Sequence, residues 1–422
     1  MSRSHDHRRT PRAAGAGLVV LLALPAAAMA AATDVIFRHG FDSANLCAPD
    51  PASTLVVNVR DAPYAARGDG IADDTHAIQR ALDAVAGTGG TVLVPAGTYL
   101  IDPTASSSGG NHGLSPGGNT TLQLSQGAVL KAIGTSAGTY AVVQVHGVSD
   151  VNIVGGGTIE GERAAHTGTG GEWGMAIDIG NARRVAIDHV TVREAWGDGI
   201  YIGNAASSQI TICRVTADHN RRQGMSITNA SGVSVTASVF ANTAGTAPEN
   251  GIDIEPNAGE AVHDVAIQNC TFANNAGGAF QTGVPVALGG SATVDGVVFD
   301  HNTLSGNGAN AIDGSYHANL RVSNSDGTQA TDNVLTDNVG QGIVLTNDAT
   351  HTEVSGNRVQ GTRQLAGSES ATGVGILIGA AAGSRVTGNT VTGNQGHGIW
   401  QVVPDASVTI ADNLVAGNGL TP

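Results

Sequence analysis

A glycine turn followed by a short alternating strand recurs through the middle of this chain. The copies are Gly199-Ile200-Tyr201-Ile202-Gly203, Gly224-Met225-Ser226-Ile227-Thr228 and Gly251-Ile252-Asp253-Ile254-Glu255, with Ala176-Ile177-Asp178-Ile179-Gly180 ahead of them. They return roughly every 25 residues, the spacing of repeat architectures. Apolar and polar residues alternate with strand period, not helix period. Ile177/Ile179, Ile200/Ile202, Met225/Ile227 and Ile252/Ile254 are therefore expected to point inward. One such unit cannot bury its apolar side alone and has to stack on its neighbours.

Parallel coils stack ~4.8 Å apart, which aligns equivalent residues in rows. One row reads Asp178, Tyr201, Ser226, Asp253, and a second reads Gly180, Gly203, Thr228, Glu255. On the preceding turn a third reads Met175, Asp198, Gln223, Asn250. The fourth reads Trp173, Trp196, Arg221, Pro248, with Arg222 and Glu249 beside its later members. Solenoids bind their partners on such lateral faces.

Glycine makes up 60 of 422 residues and charged residues only 13%. The glycines sit at regular turn positions between Val/Ile/Thr-rich runs, so they mark turns rather than disorder. The net charge of −15 argues against nucleic acid, which wants a basic face. Residues 1–30 have the form of a secretory leader: Arg8, Arg9 and Arg12, an apolar core from Leu18, and Ala28-Met29-Ala30 as a cleavage site. That core is too short to span a bilayer, so an exported protein (extracellular or periplasmic) without a membrane anchor is expected. Residues 31–54 are expected as an arm or linker, 55–102 as an N-terminal cap and 103–422 as coils, in a monomer. Cys213 and Cys270 fall two coils apart, beyond the ~7 Å limit for a bridge. With Cys47 they make an odd set, and both are expected as buried free thiols.

Within the cap, Asp74 is placed to cap a helix over Thr75–Val85 with Ile78, Leu82 and Val85 on one stripe. Gly87-Thr88-Gly89-Gly90 ends it. Asparagines recur before the later turns, at Asn220, Asn275, Asn307, Asn338, Asn394 and Asn418. They suit left-handed backbone, and a stacked row would satisfy turn amides between coils.

The run Asn58-Val59-Arg60-Asp61, Gly68-Asp69-Gly70-Ile71-Ala72-Asp73-Asp74-Thr75, Gly89-Gly90-Thr91-Val92 and Pro95-Ala96-Gly97-Thr98-Tyr99 resembles the N-terminal signature of the pectate-lyase superfamily. It is most similar to the branch holding mannuronan C5-epimerases, rhamnogalacturonase-like enzymes and phage tailspikes. The resemblance implies an all-β fold, a right-handed parallel β-helix with an N-terminal capping helix. It leaves the reaction open, because one fold hosts several chemistries. The epimerases carry an Asp-Pro-His-Glu run, absent here, and an Arg-His-Gly turn. Arg222-Gln223-Gly224 resembles that turn with glutamine in place of histidine.

Candidate site residues follow from the rows. Trp173 and Trp196 are two of three tryptophans and offer platforms for sugar rings. Arg221, Arg222 and Gln223 are candidates to hold a uronate carboxylate. Asp198, Tyr201, Arg222, Asp253 and Glu255 are the candidate proton-handling groups, and Asp253 with Glu255 is a candidate Ca²⁺ site. A lyase or C5-epimerase acting on a uronate-containing polysaccharide is the leading expectation. A glycoside hydrolase using two of the carboxylates and a non-catalytic glycan-binding adhesin are the alternatives. The later turn Asp313-Gly314-Ser315-Tyr316-His317 is the fallback position for the site.

Overall fold

A computed structural model describes residues 47–48, 53–284, 291–310, 318–367 and 372–420. The expected leader, most of the expected 31–54 arm and the Asp313–His317 turn lie outside the described residues. Three long parallel sheets run through the described residues from Val56 onward. Each coil contributes one strand to each sheet in turn, as Trp173–Gly180, Arg183–Asp188 and Thr191–Arg193 do before Ile200–Ile202 opens the next. The sheet holding the glycine-turn strands, here the front sheet, has eleven described strands, and the other two have thirteen each.

The row Asp178, Tyr201, Ser226, Asp253 forms residue for residue. Ile177, Ile179, Ile200, Ile202, Met225, Ile227, Ile252 and Ile254 are all fully buried. Period-2 alternation puts them on the inner face of every coil, where stacking removes their apolar area from water. Phenylalanines fill the later interior: Phe240 stacks on Phe272 at 5.3 Å, and Phe280 on Phe299 at 4.5 Å.

The cap segment does more than close an end. Val56–Asn58 and Thr91–Val94 are the first two strands of one sheet, and Asp69–Asp73 and Gly97–Ile101 the first two of another. The helix α1 spans Thr75–Val85 and buries Ile78, Ala81, Leu82 and Val85 in the common core. Asp74 does not cap it through its side chain. Its carboxylate instead accepts the Arg67 and Gly68 N–H groups at 2.7 and 2.9 Å, holding the preceding turn.

Two asparagine ladders stitch the later coils. In one, Asn302, Asn333, Asn357 and Asn389 each donate Nδ2 to the next asparagine's Oδ1 at 2.9–3.1 Å, ending at Asn413. The same Oδ1 accepts the neighbour's backbone N–H, as Asn333 does for Asn302 at 2.9 Å. The left-handed residue is the one before: His301 has φ 55° and Asp332 has φ 51°. The asparagines thus work through their side chains, not by adopting the strained backbone.

The cysteine expectation fails for Cys213, which is bonded to Cys47 with Cα atoms 5.5 Å apart. Cys47 lies fewer than ten residues ahead of the first strand, yet meets the sixth strand of that sheet. A separation of about nine residues, at up to ~3.3 Å each, can cover the ~24 Å of five coils. Sequence spacing along the coils carries no trace of that return. Cys270 is a buried free thiol.

Candidate functional site

Outward residues of the front sheet form one continuous row. It reads Gln144, Asp178, Tyr201, Ser226, Asp253, Gln281, Arg321 and then changes to Val344, Leu377, Trp400. The polar part is where the candidate residues gather.

Asp198 is fully buried beneath this row, so it does not face a ligand. Its carboxylate accepts Ser226 Oγ at 2.7 Å and pairs with Arg222 Nη1 at 3.2 Å. Burial pushes it up to about 6, against the pull of Arg222. Its role is to position Arg222 and Ser226. Burial works against the Arg222 charge, but Asp198, Asp253 and Glu172 hold that guanidinium above its ordinary range. Gln223 is also fully buried. It donates Nε2 to Asp253 Oδ2 at 2.7 Å and accepts the Asn250 N–H at 2.8 Å, so it orients Asp253 rather than a substrate.

Asp253 is 2% exposed. Burial first, then the neighbouring Glu255, push its carboxyl up to about 8 despite Arg222. Its Oδ1 makes no hydrogen bond of normal geometry, with Gln281 beside it. Glu255 is part-exposed and is also raised, by burial, with Arg222 and Arg321 pulling the other way. Tyr201 bonds Thr228 Oγ1 at 3.0 Å, one rung before Glu255, and burial raises its phenol. Gly203 makes that reach feasible: a Cβ there would stand 2.1 Å from Thr228 Oγ1 and 2.6 Å from the tyrosine oxygen.

The two tryptophans part company. Trp173 is 47% exposed. Trp196 is covered on its ring by Arg221, 3.7 Å from the centroid, and by His166, stacked at 3.8 Å. Its Nε1 donates to Gly171 O at 3.2 Å. Trp196 thus packs under the 163–171 loop instead of presenting a platform, and Arg221 is spent on the indole and on Trp196 O at 3.1 Å. His166 and Glu162, both with fully buried side chains, pair at 2.7 Å beneath that loop, and Tyr140 donates to the same Glu162 oxygen.

The sequence reading missed a groove on the coils before Tyr201. A cavity of about 440 Å³ is lined by Trp173, Tyr201, Gln144, His146, Asp178 and Asn204, among others. A second, of about 460 Å³, shares Gly109, Gln144, His146 and Asn204 with it. His146 Nε2 lies 2.9 Å from Asp178 Oδ2. The strand Tyr140-Ala141-Val142-Val143-Gln144-Val145-His146 alternates as its successors do, so its outward Gln144 and His146 were readable as one more rung.

The Ca²⁺ expectation does not fit these side chains. Ca²⁺ takes 6–8 oxygen ligands, whereas Asp253 and Glu255 already face Arg222 as their cation. Among the described residues, the groups with three clustered metal-type ligands lie elsewhere.

Residues 175–415 match the family described as "Right handed beta helix region". The uncharacterised protein YclG of Bacillus subtilis is 32% identical over 227 residues, covering 48% of this chain and 38% of YclG. The mannuronan C5-epimerase AlgE1 of Azotobacter vinelandii is 34% identical over 181 residues, covering 40% of this chain and 12% of the epimerase. The chain thus matches well under half the length of either relative. The A-module of the Azotobacter vinelandii mannuronan C-5 epimerase AlgE6 superposes with TM-score 0.59 at 20% identity, covering 85% of this chain and 99% of the module. A Yersinia enterocolitica family 28 exopolygalacturonase gives 0.55 at 15%, covering 88% and 78%. The Streptococcus pneumoniae surface protein and adhesin PfbA gives 0.54 at 17%, covering 87% and 99%. Three similar scores attach to three different activities, so this likeness speaks for the fold alone. With the three parallel sheets and a profile match over more than half its length, the chain belongs to the right-handed β-helix family, within the pectate-lyase-like superfamily.

Proposed function

We propose that this protein is an exported enzyme acting on a uronate-containing polysaccharide by lyase or C5-epimerase chemistry, on the front face of the solenoid. The observation that carries the reading is Asp253: a carboxyl raised to about 8, oriented by Gln223, beside a fixed arginine. A carboxylic acid kept neutral near pH 7 donates a hydrogen bond where ordinary aspartate only accepts. That is the service a uronate carboxylate needs when the proton on the adjacent C5 leaves and charge flows into it. Arg222 supplies the standing positive charge. Glu255, raised above its ordinary range by burial and part-exposed, takes the C5 proton, since a raised carboxyl is a stronger base than an ordinary one. Tyr201, kept protonated by burial, gives a proton to the C4 oxygen as the C4–O bond breaks, or to the opposite face of C5 in epimerisation. Export is supported by the Cys47–Cys213 bond, which persists in oxidising compartments.

Glycoside hydrolysis is the second reading, favoured by two carboxyls, Asp253 and Glu255, two residues apart on one coil and both raised by burial. A panel of uronate polysaccharides separates the readings. New ultraviolet absorbance from a C4–C5 double bond means lyase, and reducing ends without it mean hydrolase. An altered C5 configuration by NMR without cleavage means epimerase. Silence in all three assays, with glycan binding intact, would leave an adhesin and sink the enzymatic reading.

A further inference from the structure

The groove before Tyr201 and the cluster after it differ in charge. Among the described residues, no lysine or arginine lines either groove cavity. The acids among the described lining residues are represented by Asp178 alone, 8% exposed and paired with His146 Nε2 at 2.9 Å, and His112 lines the second cavity. Asp178 Oδ1 has no hydrogen-bond partner within the protein. The rest of the wall is amide, hydroxyl and aromatic: Asn111, Gln144, Asn204, Tyr201 and the exposed ring of Trp173. Such a wall offers a uronate ring no lysine or arginine to meet its carboxylate, and an unserved carboxylate oxygen opposes it. A neutral pyranose suits it on both counts. Its apolar C–H face lies on the indole, and its hydroxyls serve the amides and Asp178. Three rungs on, at ~4.8 Å per rung, Asp253 sits beside Arg222 and Arg321 faces Glu255.

We propose that the groove lined by Trp173, Gln144, His146 and Asp178 is a subsite for an uncharged sugar, so that the glycan this face takes is a heteropolymer in which neutral sugars accompany uronate. The second half of this rests on the uronate reading of the Arg222 cluster, and the experiment separates the two. Three probes are titrated calorimetrically into the full protein: a tetrasaccharide alternating glucose with glucuronate, tetramannuronate, and cellotetraose. The alternating probe is expected to bind about tenfold tighter than tetramannuronate, a gap that one well-placed contact supplies. Trp173→Ala, at an exposed position that leaves the core intact, is expected to erase that gap while leaving tetramannuronate within about twofold. Asp178→Asn is the second variant and is expected to weaken the alternating probe selectively. If tetramannuronate binds as tightly as the alternating probe, or if Trp173→Ala weakens both alike, the neutral subsite is overturned and the uronate reading stands. If cellotetraose matches the alternating probe and loses its binding in Trp173→Ala, the subsite stands and the uronate reading falls. Absence of binding by all three probes overturns the subsite.

Discussion

Along the front sheet, one outward position is occupied in two different ways. From Gln144 to Arg321 it is polar in every coil; at Val344, Leu377 and Trp400 it is apolar. Val344, Leu377 and Val374 form a small cluster of their own outside the main core, with Trp400 packed on it. The backbone pairing is parallel throughout. Coil geometry therefore fixes where a side chain stands, and the side chain alone decides whether that place binds or merely packs. The same comparison bounds the site, which ends where the row turns apolar.

The largest effect expected from breaking this contrast is on turnover. Asp253→Asn and Glu255→Gln should each cut the rate on the accepted glycan by about 10²–10⁴-fold, the usual cost of losing a positioned acid or base. Leu377→Ala, in the apolar stretch, should leave turnover intact while costing about 2–5 kcal/mol of stability in a denaturant melt. If Leu377→Ala slows the enzyme as much as Asp253→Asn does, the division of the row is wrong.

Arg222→Ala should cost about 3–5 kcal/mol, because it strands the sealed Asp198 carboxylate without its cation. The double variant with Asp198→Asn should recover much of that loss in the same melt. Recovery would show that the pair is a buried support and not only a reacting group.

The tryptophans sharpen the comparison within the polar stretch. Trp196→Ala should lower stability by about 3–5 kcal/mol, since its ring is packed between Arg221 and His166. Trp173→Ala should barely move the melting temperature and should instead weaken glycan binding. Equal melting temperatures for the two variants would contradict the packing described.

The last effect is on pH dependence. Asp198 and Asp253 stand at about 6 and about 8, both above their unfolded values. The folded protein therefore holds protons that the unfolded chain releases. The stability from those protons is full below about pH 4 and is lost as pH rises through 6 and then 8. Melting temperature should fall over that window, and Asp253→Asn should flatten its upper part. An unchanged slope in Asp253→Asn would mean that its carboxyl is ionised at neutral pH.

The rows were legible because a strand's period is fixed and stacking admits one register, so Ile200 and Ile202 had to go inward and Tyr201 outward. Other features depended on contacts that no period encodes. The covering of Trp196 depends on a loop that returns over it, and the Cys47–Cys213 bond joins a residue ahead of the first strand to the sixth strand of that sheet. The burial of Asp198 comes from its neighbours Ser226 and Arg222, which a one-dimensional row lists beside it but does not place above it. The groove was half legible: Gln144 and His146 lie one rung before the first repeat that was aligned.

Solenoids held by contacts between neighbouring coils unravel from their ends. The Cys47–Cys213 bond makes the two ends unequal. It closes a covalent ring around the coils up to Cys213, with its cysteines 166 positions apart in sequence. A coil opening inside that ring stays tethered and gains less freedom than one outside it. The groove, from Gln144 to Asn204, lies inside the ring, whereas Asp253 and Glu255 lie beyond it. A molecule that begins to unravel therefore gives up its acid–arginine cluster before its groove. Reduction of the bond removes that order of loss.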